Sequence, residues 1–257
     1  MNYKTIILEQ KSGYAIVKFN RPGEMNAISK DMRGELYDVF SDLENIPEVK
    51  AVIITGGGYV FSTGMDIKEM VALSNADVDE YFTSMTRYLK KIYSYKKPVI
   101  AAVGGFAIGG GFNLVSVCDL VVASESAIFC HPELKIGINP LFYPLSRLVG
   151  YAKAKEIVML GEPIGANEAL KIGLVNKVVS PERFMEQAEN MAAILVKQSP
   201  TAFEELKKIC ELAPRLDHAA ALDLEFTMSA KLFARDERKY YMNEFFFLEK
   251  LRKKKQK

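Results

Sequence analysis

Two glycine-rich junctions are the parts of the sequence whose residue types and spacing could do chemistry. They read "VIITGGGYVFSTGMDIKEM" and "VIAAVGGFAIGGGFNLV", and in each an apolar run that predicts a buried strand leads into a predicted helix. The first residues of a helix have backbone N–H groups without partners, and glycine lets a ligand approach such backbone closely. Two such junctions could direct two N–H groups at one oxygen atom, which is the arrangement of an oxyanion hole.

Glycines at such junctions can also bind phosphate or simply allow close packing. Neither junction contains G-x-x-x-x-G-K-[ST] or G-x-G-x-x-G, so a loop that binds nucleotide phosphates is disfavoured. The remaining alternative is close packing of helix against strand without any ligand. The presence of a second junction of the same type favours the oxyanion hole but leaves packing open.

The composition fits a globular protein with a sizeable core. The chain has 257 residues, 49% hydrophobic and 26% charged, and a formal net charge of +2. This charge gives no broad electrostatic case for nucleic acid binding, and the basic tail "EKLRKKKQK" is interpreted as a solvated run. The segment from Pro98 to Cys118 carries no charge, but its glycines and polar residues argue against a membrane span.

Cysteine and histidine usage predicts a reducing compartment and no metal site. The chain has only three cysteines, Cys118, Cys130 and Cys210, and this small, odd number argues against a disulfide framework. The two histidines form no metal-ligand pattern with them, and His131 is interpreted as a structural residue. Since the N-terminal segment also lacks the features of a signal peptide, we expect a cytoplasmic protein.

Strands that alternate with helices predict an α/β core for most of the chain. Strands are expected at "TIILEQ", "YAIVKFN", "KAVIITGGG", "KKPVIAAV", "DLVVASES" and "AIFC", and Ser29 is expected to cap the helix that follows it. One uninterrupted helix is expected for "SRLVGYAKAKEIVMLG". The last quarter is expected to be a separate helical layer, with helices at 181–198, 200–213, 217–235 and 237–253.

Several linked motifs resemble the enoyl-CoA hydratase/isomerase (crotonase) family. They are "NRPGEMNAIS", "ITGGGYVFSTGMDIKEM", "PVIAAVGGFAIGGGFNLVSVCDLVVASESAIFCHPELKIGI" and "GANEALKIGLVNKVV", and the resemblance extends almost end to end. It implies a crotonase-like α/β fold, a spiral of β-β-α turns, with an acyl-CoA site in residues 1–195. It also implies a helical oligomerisation region in residues 196–257, which forms homotrimers that commonly pair into homohexamers.

The chemistry shared by this family is stabilisation of a thioester enolate by two backbone N–H groups. Matched by position, these groups belong to Met65 in "STGMD" and to Gly110 in "GGG". The neighbouring Gly64, Asp66 and Gly109 are assigned to substrate binding. The resemblance therefore implies a coenzyme A thioester as substrate, with no separate cofactor and with further copies of the chain as partners.

The acid and base groups decide which reaction follows. The resemblance implies two glutamates in a hydratase, but the first of these positions is Asn113 here and only the second, Glu133 in "CHPELKIG", is a carboxylate. Asparagine cannot exchange a proton at neutral pH. A single glutamate is the pattern of family isomerases, in which it moves a proton so that a double bond shifts from the 3 to the 2 position. Asn113 is expected to orient substrate or an ordered water.

The loop after Glu133 also departs from the hydratase pattern. It reads "NPLFYPLSR", where Leu141, Phe142 and Tyr143 replace a small, glycine-rich loop and are expected either to dry the water pocket or simply to pack in the core. Phe142 and Tyr143 are therefore included among the substrate-binding candidates. Lys68 and Lys250 match positions that can contact the phosphates of coenzyme A, although either could equally be a solvated lysine.

The sequence thus favours an enoyl-CoA isomerase that uses Glu133 as its single base. The alternative is an enoyl-CoA hydratase, or another reaction of the family, in which Asn113 holds the water that Glu133 deprotonates. A third interpretation is a non-catalytic paralogue that binds acyl-CoA. Intact Glu133 and both glycine junctions argue against the third interpretation.

Overall fold

The computed structural model describes the backbone of residues 3–255 and the side chains of residues 3–247. The chain forms two compact units, one that ends at Val196 and one that begins at Lys197. The assignment of acyl-CoA binding to the first and of oligomerisation to the second stays a prediction.

Most strands of the first unit belong to a larger, mainly parallel sheet. Over the described residues, the strands in chain order are β1 (Ile6–Gln10), β2 (Tyr14–Phe19), β3 (Ala51–Thr55), β4 (Val60–Ser62), β5 (Val99–Val103), β6 (Phe106–Ile108), β7 (Leu120–Ser124), β8 (Ile128–Cys130), β9 (Ile164–Gly165) and β10 (Lys177–Val179). The larger sheet has the order β1-β2-β3-β5-β7-β10, in which only β1 and β2 pair antiparallel. Strands β3 and β5 are buried at every residue, which explains their continuous apolar sequences.

A second sheet runs beside the first with the order β4-β6-β8-β9. Each of the glycine-rich junctions therefore contains a short strand, β4 or β6, which the sequence analysis took for part of a turn. The sequence analysis did not predict these two strands, because three residues between glycines are too few to show strand periodicity. The chain passes repeatedly from the larger sheet to the smaller one and then into a helix, which confirms the spiral of β-β-α turns.

The helices follow the predicted order with one exception. Their bounds are α1 (Lys30–Glu44), α2 (Ile67–Ala72), α3 (Val78–Tyr93), α4 (Gly110–Ser116), α5 (Phe142–Val149), α6 (Tyr151–Leu160), α7 (Ala166–Lys171), α8 (Phe184–Leu195), α9 (Pro200–Leu212), α10 (His218–Phe233) and α11 (Glu237–Lys255). The single helix expected over "SRLVGYAKAKEIVMLG" is instead α5 and α6. They separate at Gly150, whose φ of 80° cannot continue a helix.

Side-chain caps fix the starts of the two helices that flank the first junction. The Ser29 hydroxyl accepts a hydrogen bond from the Met32 N–H, as predicted, and Asp66 accepts one from the Lys68 N–H at the start of α2. The Arg21 guanidinium also donates to Asp66 at 3.0 Å. Burial alone would raise the pKa of Asp66, but the hydrogen bonds from Arg21 and from backbone N–H groups outweigh it and hold the pKa below its ordinary value.

Several glycines of the two junctions lie where backbone approaches backbone. A Cβ atom at Gly105 would lie 1.8 Å from the Tyr59 carbonyl oxygen, and one at Gly111 would lie 2.4 Å from the Ser62 carbonyl oxygen. Gly105 therefore lets the turn before β6 pack on the turn before β4, and Gly111 lets the start of α4 pack on β4. For this subset, close packing without a ligand is the correct interpretation.

No helix within residues 3–255 combines the length and the apolar character that crossing a membrane requires.

Gly105→Ala is expected to lower the free energy of unfolding by about 1–3 kcal/mol, because the added methyl group forces the Tyr59 carbonyl away. Gly34→Ala is the matched control. Gly34 is exposed in α1 with nothing within 4 Å of its Cβ position, so that variant should gain about 0.5–1 kcal/mol. Urea unfolding measures both, and equal effects of the two substitutions would contradict the packing role of Gly105.

Asp66→Asn is expected to lower the free energy of unfolding by about 2 kcal/mol at pH 7, because it removes a charged acceptor from Arg21. The folded-state pKa of Asp66 is depressed, so its stabilisation is present above the unfolded-state pKa of about 4 and is lost as the pH falls. The difference from the parent protein should therefore shrink as the pH falls below about 4 in urea titrations. Glu9→Gln, which breaks an exposed ion pair with Lys11, is the control and should show little difference at any pH.

Candidate active site

The first junction presents the backbone of Met65. Met65 forms an isolated parallel bridge with Ile28, in which the Ile28 N–H donates to the Gly64 carbonyl at 2.7 Å and the Asp66 N–H donates to the Ile28 carbonyl at 3.4 Å. Both hydrogen bonds of this bridge are made by the neighbours of Met65, namely the Gly64 carbonyl and the Asp66 N–H. The N–H of Met65 itself therefore points away from Ile28. Gly64, with a φ of 93°, takes a conformation that a residue with a Cβ rarely adopts.

The second junction presents the backbone of Gly110. Gly109 lies between β6 and α4 with a φ of 51° and a ψ of −118°, and its N–H donates to the Cys130 carbonyl at 2.8 Å. This turn fixes where α4 begins. Gly110 is the first residue of that helix, and its N–H precedes the first turn of intrahelical hydrogen bonds.

The two junctions meet at these backbone groups. A Cβ atom at Gly64 would lie 2.8 Å from the Gly110 nitrogen, and one at Gly110 would lie 3.3 Å from the Met65 nitrogen. Side chains at either position would therefore separate the two turns. The structure brings together the Met65 and Gly110 backbones that the sequence analysis selected from distant parts of the chain.

The Glu133 carboxylate lies against the same junction. Glu133 follows β8 and opens a short 3-10 turn, Glu133–Ile136, and it is only 7% exposed. One carboxylate oxygen, Oε1, lies 3.5 Å from the position of a Cβ on Gly109. The chain thus places a buried acid beside the turn that leads to Gly110, where a proton can be exchanged with a group held at the junction.

His131 contacts the Glu133 side chain. The sequence analysis did not predict this contact, since it assigned His131 a structural role. The ring nitrogen Nδ1 lies 3.2 Å from both carboxylate oxygens of Glu133, and the side chain is fully buried. The sequence carried no signal for this contact, because the chain leaves the extended conformation between the two residues, where φ is −83° and ψ is 3°. Only Pro132 separates the two residues.

Asn113 occupies the first turn of α4, where its N–H donates to the Gly109 carbonyl at 2.8 Å. Its side chain is 7% exposed, and Oδ1 has no hydrogen-bond partner among the described atoms. A buried acceptor without a donor is costly, so this amide oxygen is available to a water or a substrate group that can donate to it.

The remaining candidates lie in different surroundings. Phe142 is half-buried against the core and packs edge-on to Tyr151, whereas Tyr143 is 50% exposed. The assignment of Phe142 and Tyr143 to substrate binding stays a prediction. Lys68 is exposed on α2, Asp66 is engaged by Arg21, and Lys250 lies outside the residues whose side chains are described.

Among the described side chains, the spacing of possible metal ligands gives no candidate metal site. Within the described part of the chain, no three or more His, Cys, Asp and Glu side chains group in a way that could bind a metal ion.

Comparison with known proteins gives consistent results. The family model for enoyl-CoA hydratase/isomerase matches residues 9–256. The chain is 37% identical over 249 residues to the short-chain-enoyl-CoA hydratase of Clostridium acetobutylicum, which covers 95% of each chain. It is also 37% identical over 249 residues to the crotonyl-CoA hydratase of Syntrophomonas wolfei, which covers 95% of this chain and 96% of that one.

Solved structures agree with the sequence relatives. The enoyl-CoA hydratase of Bacillus anthracis superposes with a TM-score of 0.90 at 27% identity and covers 94% of this chain and 96% of that one. An enoyl-CoA hydratase subunit from Geobacillus kaustophilus gives a TM-score of 0.88 at 32% identity, with 95% of each chain covered. Sequence, fold and the paired backbone turns thus lead to the same assignment: the chain is an enzyme of the enoyl-CoA hydratase/isomerase family, with the crotonase fold.

Proposed function

We propose that this enzyme adds water reversibly to a 2-enoyl-CoA thioester and uses Glu133 as its only carboxylate. The observation that carries the proposal is the unpaired, buried Oδ1 of Asn113, an acceptor suited to a water molecule. The relatives named as hydratases support the same reaction. This proposal adopts the alternative of the sequence analysis in place of the isomerase interpretation favoured there.

The proposed reaction divides the work among three groups. The Met65 and Gly110 N–H groups stabilise the negative charge that grows on the thioester oxygen. Asn113 Oδ1 accepts a hydrogen bond from the water and orients it, but takes no proton. The water oxygen bonds to C3, Glu133 takes the proton that the water loses, and the same proton then passes to C2, so that Glu133 ends the cycle ionised as it began.

Isomerisation of a 3-enoyl-CoA is the second candidate, and the absence of a carboxylate at position 113 favours it. In that reaction Glu133 removes a proton from C2 and returns it at C4, while the double bond moves from the 3 to the 2 position. No water is consumed. The half-exposed side chain of Tyr143 gives little support to the dry pocket that was expected for an isomerase.

The thioester would be the only small molecule that the reaction requires besides water. We further propose that the cytoplasm is its location and that the second unit assembles the chain into a homotrimer or homohexamer. Apolar side chains along α9 to α11 support assembly, because Phe226, Phe245 and Phe247 are each more than half exposed in the isolated chain.

Glu133→Gln is expected to lower turnover of a trans-2-enoyl-CoA by at least about 100-fold, because the amide keeps the shape of the side chain but cannot carry a proton. Mass analysis of the product should give a gain of one water with the parent enzyme. Glu156→Gln, which removes an exposed carboxylate on α6, is the matched control and should leave the rate unchanged. Conversion of a trans-3-enoyl-CoA to the 2-enoyl isomer, without gain of water from the 2-enoyl substrate, would overturn the hydratase proposal in favour of the isomerase.

Asn113→Leu is expected to slow hydration about 10- to 100-fold, because leucine has a similar volume but no acceptor for the water. Any isomerase activity should change less than about threefold in the same variant, since that reaction uses no water. Rates with the two thioesters measure both effects. Unchanged hydration in Asn113→Leu would show that the amide does not hold the attacking water.

A further inference from the structure

We propose that His131 is a positioning residue for Glu133, in which a proton on Nδ1 is donated to the carboxylate and fixes its orientation. The inference rests on the proposed function in one respect: Glu133 must be the group that carries the proton. It concerns the bond between the two side chains, and that bond can be tested with or without turnover.

The distances favour a donor on Nδ1. This nitrogen lies 3.2 Å from Oε1 and 3.2 Å from Oε2, so it faces both oxygens of the carboxylate rather than one. An ionised carboxylate has only acceptor atoms, and a ring nitrogen that carries a lone pair would face it with a second acceptor. A proton on Nδ1, shared between the two oxygens, satisfies all three atoms.

The other ring nitrogen leads to the same tautomer. Nε2 is buried and has no hydrogen-bond partner within the described part of the chain. A proton there would leave a donor without an acceptor in a site closed to solvent, and such orphaned N–H groups are rarer in proteins than orphaned acceptors. The neutral ring with its proton on Nδ1 leaves only a lone pair unsatisfied.

Packing holds the ring in this orientation. The imidazole is fully buried and stacks on Phe112, with ring centroids 4.3 Å apart and an angle of 17° between the planes. Phe112 also contacts Phe129 of β8, with centroids 5.5 Å apart. Because Phe112 lies between Gly111 and Asn113 in α4, the stack joins the segment that bears Glu133 to the helix that begins at Gly110.

The consequence is a carboxylate whose free lone pairs have a fixed direction. Both oxygens of Glu133 lie 3.2 Å from His131 Nδ1, and Oε1 also lies 3.5 Å from the Cβ position of Gly109. A carboxyl group can rotate about its last bond, and rotation would misplace the proton between the steps of the reaction. A donor that stays bonded to Glu133 before and after the proton transfer prevents this loss of geometry.

Nitrogen-15 NMR of the imidazole rings tests the tautomer directly, and the chain has only two histidines. The spectra would be recorded at about pH 8, above the ordinary titration range of histidine. His218→Gln removes the other signal, so the remaining ring is assigned without ambiguity. The proposal expects a protonated Nδ1 and an unprotonated Nε2 in His131, and the reverse tautomer would overturn it.

A matched pair of variants tests the effect on turnover. His131→Asn keeps an amide N–H near the position of Nδ1, whereas His131→Leu has a similar volume and no donor. We expect kcat of His131→Leu to fall about 10- to 100-fold with KM changed less than about threefold, and His131→Asn to recover most of the loss. Equal losses in both variants, or a loss that appears in KM alone, would overturn the positioning role.

The two measurements separate this inference from the proposed reaction. If the parent enzyme fails to hydrate a 2-enoyl-CoA but His131 carries its proton on Nδ1, the proposed function fails and the hydrogen bond stands. If hydration occurs and the proton lies on Nε2, the positioning role fails and the proposed function stands. The NMR result does not depend on whether either His131 variant folds.

Discussion

The close approach of two backbone turns, at Gly64–Met65 and at Gly109–Gly110, is the constraint on which the rest of the structure depends. A side chain at Gly64 would collide with the second turn, and Gly109 has a positive φ that a residue with a Cβ rarely adopts. The surrounding elements make this approach possible. Strands β4 and β6 pair in the smaller sheet, and glycines such as Gly105 let the connecting turns pack backbone to backbone.

Once the turns are in contact, the chemistry can be divided between backbone and side chains. Backbone N–H groups are suited to an oxygen that gains charge, because they are fixed by the fold and need no reorganisation during the reaction. Proton transfer needs a titratable group, and Glu133 lies beside the Gly109 turn. In the proposed reaction, Asn113 orients the water, His131 orients the carboxylate, and neither exchanges a proton. In this account a single carboxylate is enough, since the proton removed from water is the one delivered to carbon.

Much of this arrangement could be predicted from the sequence. Strong periodicity and capping residues indicated the helix that Ser29 begins and the buried strands β3 and β5. The match of Met65 and Gly110 to a family pattern placed two distant residues together, which local patterns alone could not do. Strands β4 and β6 were missed because they have three residues each, and the break at Gly150 was missed because a single glycine inside a helical pattern is often tolerated.

The contact between His131 and Glu133 and the exposure of Tyr143 depend on how the chain turns after β8, and the sequence does not specify that turn. The central claim is that Glu133 and the paired N–H groups form and stabilise a thioester enolate. The most direct test is exchange of the C2 protons of a saturated acyl-CoA in D2O, followed by NMR, because enolate formation alone produces it. Deuterium is expected at C2 with the parent enzyme and with Glu156→Gln, and none is expected with Glu133→Gln. Saturating binding of the thioester without exchange, or exchange that survives in Glu133→Gln, would contradict the central claim.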